Sequence, residues 1–132
     1  MRQNRPNTPA ATAKRIMVVD DHRDTVETLV ELLNLHGYDA RAIYDGPSAL
    51  RELPRFRPDA LLVDIELPGM DGCELARMVR AIPGATAIHL VAITGYDQES
   101  DRRRAKDAGF DAYLVKPIEL ESLLSLLSAG PA

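Results

Sequence analysis

A single cysteine, Cys73, leaves no partner for an internal disulfide and excludes a cysteine-built zinc site, so it reads as a helix residue of no special chemistry. Long apolar runs are missing as well. The longest, residues 60–63 and 88–93, are strand-sized and interrupted by charge or histidine, so none can span a bilayer. Surplus positive charge is also absent: 16 Lys and Arg face 20 Asp and Glu, for a net charge of −4. Nucleic-acid backbones are bound by clustered Lys and Arg, and this balance provides no such footprint. Arg102, Arg103 and Arg104 form the one basic cluster, and acidic neighbours dilute it into a solvated helix face. These absences predict a cytoplasmic protein with neither nucleic acid nor membrane as partner.

What is present fits one ordinary core. The chain has 132 residues, 45% apolar and 27% charged, which suits a single globular domain. Residues 1–13 carry Arg2, Arg5 and two prolines without an apolar run, so they read as a flexible lead and not as a secretory signal. The domain is placed at 14–128, with 129–132 as a short tail. Within it, short apolar runs alternate with longer amphipathic stretches. Strands are expected at 15–20, 39–43, 59–64, 88–93 and 111–115, and helices at 24–36, 46–53, 71–81, 97–108 and 118–127. Three of the strands are apolar throughout their middles, as doubly covered strands must be, whereas 39–43 alternates and suits an edge. In the first helix Val26, Leu29, Val30 and Leu33 share a face, Asp24 with Glu27 forms a capping pattern, and Gly37 marks the stop. The last repeats the logic through Leu120, Leu123, Leu124 and Leu127. Helix 97–108 offers its interior little beyond Ala105 and Ala108, so it is weakly anchored.

Right-handed crossovers turn five such units into a doubly wound parallel α/β sheet, whose ligands bind beyond the C-terminal strand ends. Those ends carry Asp20 and Asp21 after the first strand, Asp64 on the third, Thr94 after the fourth and Lys116 after the fifth. Taken singly, each has an ordinary reading as a turn former, a cap or loop punctuation. As an ordered set on one rim they point to chemistry. Converging carboxylates repel unless a cation intervenes, and hard oxygen ligands with unfilled positions favour Mg²⁺ beside a phosphate. Lys116 and the Thr94 hydroxyl can hold phosphoryl oxygens, and Asp64 can act as the nucleophile.

The segments Ile16-Met17-Val18-Val19-Asp20-Asp21, then 64–72 from Asp64 to Gly72, Ile93-Thr94-Gly95, and Tyr113-Leu114-Val115-Lys116-Pro117 together resemble the receiver domain of bacterial response regulators. The resemblance covers residues 15 to about 127. It implies a flavodoxin-like fold with sheet order 2-1-3-4-5 and a phosphoacceptor at Asp64. It further implies Mg²⁺ held directly by Asp21 and Asp64, by Asp20 largely through water, and by the backbone carbonyl of Glu66. Thr94 and Lys116 would bind the phosphoryl group, Tyr113 would change rotamer as Thr94 moves, and Lys116-Pro117 would be cis. The residues at Glu66 and Tyr96 vary in that family, so the lifetime of the phosphorylated state is not legible.

The resemblance implies no enzyme acting on outside substrates, but a domain that catalyses its own phosphorylation and dephosphorylation. A histidine kinase or histidine phosphotransfer protein would be the donor, and a downstream protein or a second copy would meet the 97–116 face. Ending just past the fifth helix, the chain is expected to act through protein contacts, as a free-standing regulator or as a receiver module of a hybrid histidine kinase. Two rivals share the sheet. A haloacid dehalogenase-type phosphatase would need its nucleophile in an Asp-x-Asp pattern after the first strand, where Asp20-Asp21-His22 stands, and a cap for which there is no room. A flavin-binding module would want Gly, Ser and Thr where residues 20–24 are acidic.

Overall fold

The computed structural model describes residues 13–95 and 98–130. Residues 1–12 of the expected flexible lead, Tyr96, the start of the expected fourth helix at Asp97, and residues 131–132 of the expected tail therefore lie outside the described residues. Five strands alternate with five helices: β1 (Arg15–Val19), α1 (Arg23–Leu35), β2 (Asp39–Ile43), α2 (Gly46–Phe56), β3 (Ala60–Asp64), α3 (Gly72–Arg80), β4 (His89–Thr94), α4 (Glu99–Ala108), β5 (Ala112–Val115) and α5 (Leu120–Ala129). A 3₁₀ turn at Ala85–Ala87 precedes β4. All pairings are parallel, in the order β2-β1-β3-β4-β5 that the family resemblance implies. The alternating 39–43 run does form an edge strand.

Period-2 alternation sends successive strand residues into two separate cores. Met17, Val19, Leu61, Val63 and Leu90 join residues of α2, α3 and α4 on one face, including Phe56, Leu75 and Val79. Ile16, Val18, Leu62, Val91 and Ile93 meet Val26 and Leu33 of α1 and Leu123 and Leu127 of α5 on the other. Full burial of each such side chain stabilises the fold by about 1.5–3 kcal/mol, so the three central strands anchor the domain.

Helix boundaries depart from expectation: α5 lies two residues beyond the expected 118–127 and takes in Ala129 of the expected tail, and α1 and α2 differ for reasons that can be traced. The Asp24 and Glu27 capping pattern does not form: α1 starts at Arg23, with His22 as N-cap and no side-chain cap. Its members are used elsewhere, because Asp24 lies inside the first turn and Glu27 accepts the Tyr44 hydroxyl at 2.6 Å. Helix α2 continues past the expected end at Leu53, through Pro54 to Phe56. Proline forgoes one backbone bond, yet buried Leu53 and Phe56 hold the last turn to the core, and Arg57 closes it in the left-handed region. Gly37 does stop α1, with φ +92°. As expected, α4 buries only Ala105 and Ala108.

At the N-terminal edge of the sheet, Arg80 at the end of α3 forms a clamp. Its Nε donates to Gly109 O at 3.0 Å, Nη1 to Ile88 O at 2.9 Å, and Nη2 to Asp111 Oδ2 at 2.7 Å. His89 lies buried nearby, and burial pushes its pKa below the ordinary 6.5, aided by Lys14 and Arg80 and opposed by Asp111. A base whose folded pKa is depressed contributes stability that is present above its unfolded value and lost as pH falls through the folded one. Stability to urea is therefore expected to decline as pH drops below 6.5, and His89→Val should flatten that decline. Equal slopes for both proteins would show that His89 carries none of the acid sensitivity.

Candidate functional site

Register brings the chemistry together. Val19 pairs with Val63, Asp64 with Ile93, and Thr94 with Val115, so the residues that end or follow these strands share one rim. Asp20 is held there by its N–H on Ile43 O at 3.0 Å. Asp64 is the last residue of β3 and is 1% exposed. Its Oδ1 accepts the Glu66 N–H at 2.9 Å, and its Oδ2 accepts Lys116 Nζ at 2.9 Å. The same ammonium lies 3.5 Å from Asp20 Oδ2. Lys116 is itself positioned by its own N–H, which donates to Thr94 O at 2.7 Å, and the Lys116–Pro117 peptide is cis.

The acidic loop after β1 completes the cluster. The Asp20 Oδ1 accepts the His22 N–H at 2.9 Å and stands 2.9 Å from His22 Nδ1, which is 3.5 Å from Asp21 Oδ1. Asp20, Asp21, His22 and Asp64 each offer a donor atom, all within 4.8 Å of one another. Burial works against ionisation of Asp20, but the His22 N–H and ring, together with Lys116, outweigh it and hold the carboxyl below its ordinary range. Burial likewise works against the charge on Lys116, while its bond to Asp64 and the field of Asp64 and Asp20 raise its pKa. The His22 pKa is raised by its hydrogen bond to Asp20 and by the charges of both aspartates. Several hard oxygen donors converging beside a single ammonium are a donor set that fits a divalent cation.

The structure thus unites Asp20, Asp21, Asp64 and Lys116. Thr94 ends β4 fully buried, touching the group through its carbonyl bond to Lys116. Glu66 contributes its N–H to Asp64, with its side chain exposed. Tyr113 is half-buried in β5 and packed against the core, with the Arg102 guanidinium of α4 4.8 Å from its ring centroid.

Sequence reading missed two residues. His22 was weighed only as a break in a phosphatase pattern, and its place beside both aspartates is visible only in the structure. Gly72 was not singled out. A Cβ there would lie 2.5 Å from Ile65 Cα and 2.7 Å from Asp64 O, so only glycine lets the start of α3 rest on the backbone leaving β3. The neighbouring Asp71 caps that helix reciprocally with Glu74.

Carboxylates and a lysine on the switch-point rim of a 2-1-3-4-5 sheet define a phosphoryl-accepting signalling domain in the general sense. The family profile for the response regulator receiver domain matches residues 16–128, and the chain belongs to that family. Response regulator MprA of Mycobacterium ulcerans is 39% identical over 115 residues, covering 87% of this chain and 49% of that protein. This chain thus spans about half the length of the curated relatives it matches. Among solved structures, the chemotaxis protein CheY4 of Vibrio cholerae superposes with a TM-score of 0.86 at 25% identity, covering 90% of this chain and 99% of that one. The receiver domain of sensor histidine kinase PA1611 from Pseudomonas aeruginosa, which has a magnesium ion coordinated in its active-site cleft, gives 0.82 at 29% identity, covering 90% and 98%. Family membership leaves the phosphatase and flavin readings without support. Among the described residues, no helix is long and apolar enough to cross a membrane.

Because Gly72 meets backbone rather than a flexible side chain, Gly72→Ala should destabilise the domain by about 1–3 kcal/mol. Denaturant unfolding of the two proteins is the check, and equal midpoints would remove the close approach as a constraint on the site.

Proposed function

We propose that Asp64 takes a phosphoryl group from a phosphohistidine on a histidine kinase or histidine phosphotransfer protein and forms an aspartyl phosphate. The observation that carries this reading is the near-complete burial of Asp64 with Lys116 Nζ 2.9 Å from one of its oxygens. A carboxylate oxygen of Asp64 attacks phosphorus while the bond to the donor nitrogen breaks and that nitrogen keeps the bonding pair. Lys116 then transfers its hydrogen bond from the carboxylate to a phosphoryl oxygen, so positive charge stays where negative charge develops. The Thr94 hydroxyl donates to another phosphoryl oxygen. Asp20, Asp21, Asp64 and the carbonyl of Glu66 would hold Mg²⁺, which supplies charge neutralisation on the transferring oxygens. A groove of ≈ 230 Å³ opens beside Asp20 and Lys116 and is lined by Thr25, Leu29, Leu32 and Ile118, which suits an apolar helix face of the donor.

Output follows from the position of Tyr113. Its ring carries Arg102 of α4, a contact worth about 0.5–1 kcal/mol at an exposed site, so a rotamer change at Tyr113 removes one of the few ties on that helix. Displacement of α4 changes the 97–116 face offered to a downstream protein or a second copy. Exposed Arg103 and Lys106, with neighbouring acids, would set partner specificity more than affinity. The chemistry is the same in a free regulator and in a receiver attached to a kinase.

Intact-mass analysis with acetyl phosphate and Mg²⁺ should show one added phosphoryl group, none in Asp64→Asn, and Mg²⁺ affinity about tenfold or more lower in Asp21→Ala. Mass gain by Asp64→Asn at the unmutated rate would end the assignment. For the switch, beryllofluoride should change hydrogen exchange most across α4 and β5. Changes restricted to residues 20–22 and 65–71 would instead favour a passive phosphoryl sink.

A further inference from the structure

His22 lies against the proposed cation site, yet no part of the phosphoryl chemistry uses it. Its Nδ1 is 2.9 Å from Asp20 Oδ1 and 3.5 Å from Asp21 Oδ1. Two ligands each about 2.0–2.2 Å from one ion lie about 3.0 Å apart at a right angle and about 3.4 Å apart at the tetrahedral angle. Both measured separations match those edges. The ring nitrogen therefore stands at ligand-to-ligand distance from two of the carboxylates, the shorter contact being the Nδ1 hydrogen bond to Asp20 that a bound ion would replace, and it belongs with Asp64 to the group whose donor atoms lie within 4.8 Å of one another.

The chemistry of that fourth donor differs from the rest. Carboxylate and carbonyl oxygens suit Mg²⁺ and Mn²⁺, whereas imidazole nitrogen suits later first-row ions such as Co²⁺, Ni²⁺ and Zn²⁺ and adds little for Mg²⁺. The loop is also held in register for this, because the His22 N–H is anchored on Asp20 Oδ1 at 2.9 Å while the side chain remains 66% exposed and able to turn. We propose that His22 is a further protein ligand of the divalent-cation site, and that it shifts the site's preference from Mg²⁺ towards borderline ions such as Co²⁺ and Zn²⁺. The proposal rests on Asp20, Asp21 and Asp64 forming that site.

Calorimetric titration of the unmutated protein, His22→Ala and His22→Asn with Mg²⁺ and with Co²⁺ tests it. Loss of the imidazole should weaken Co²⁺ by about tenfold or more while changing Mg²⁺ by less than about twofold. The visible absorption of bound Co²⁺ should change in both variants and stay the same in His36→Ala, whose histidine is exposed on α1's far end. Equal loss for both ions, no loss for either, or an unaltered Co²⁺ spectrum would overturn the role of His22. A different result marks failure of the underlying site: neither ion binding the unmutated protein, or Asp64→Asn and Asp20→Asn leaving both affinities unchanged.

Discussion

Two nearly buried carboxylates face one ammonium at the carboxyl edge of this sheet, and the rest of the domain is arranged to make that confrontation tolerable. Asp20 and Asp64 are 6% and 1% exposed, and charges taken out of water are costly unless they are paired. Lys116 reaches both, but only because Thr94 fixes its backbone and β5 lies next to β4. Breaking a buried pair by removing one partner leaves an uncompensated charge, so the ammonium, the two strands and the loop beyond Val115 form one unit. Any group that enters carrying its own charge must renegotiate these contacts together. A change of charge at Asp64 would therefore bear on Lys116 and, through it, on the end of β5.

The two faces of the sheet respond differently. On one, α1 and α5 insert large aliphatic residues, among them Leu33, Leu123 and Leu127. On the other, α4 brings only two buried alanines, supplemented by the Arg102 contact with Tyr113 and an exposed Arg104–Asp71 pair at 3.2 Å. Exposed ion pairs contribute only about 0–1 kcal/mol, so among the described residues α4 is held by less apolar burial than α1 or α5.

Strands were the most legible part of the sequence, because doubly covered strands must be continuously apolar and their polar ends are then conspicuous. Asp20, Asp21, Asp64 and Lys116 could be grouped because a parallel sheet sends every strand end to one rim. Helix boundaries were less legible, since they depend on competing uses of the same side chains. Glu27 could have capped α1 but bonds Tyr44, a partner far along the chain. The expected end of α2 at Leu53 fell short because the burial of Phe56 outweighs the donor that Pro54 lacks. His22 and Gly72 were illegible for another reason: their importance lies in distances to Asp20, Asp21 and the backbone at Asp64, which spacing along the chain does not encode.

The Arg80 clamp gives the motion of α4 a shape. Its Nε holds Gly109, the residue that ends the helix, while the opposite end, at Gln98, has no side-chain cap. A Cβ on Gly109 would come within 2.8 Å of Arg80 Cγ, so that end is crowded as well as bonded. A rod held at one end swings instead of sliding. Ten helical residues make a lever about 15 Å long, and a tilt of about 10° would carry the end at Glu99 some ~2–3 Å while the pivot stays still. An arginine at the opposite end of the strands from Asp64 thus sets the fulcrum about which the helix would turn.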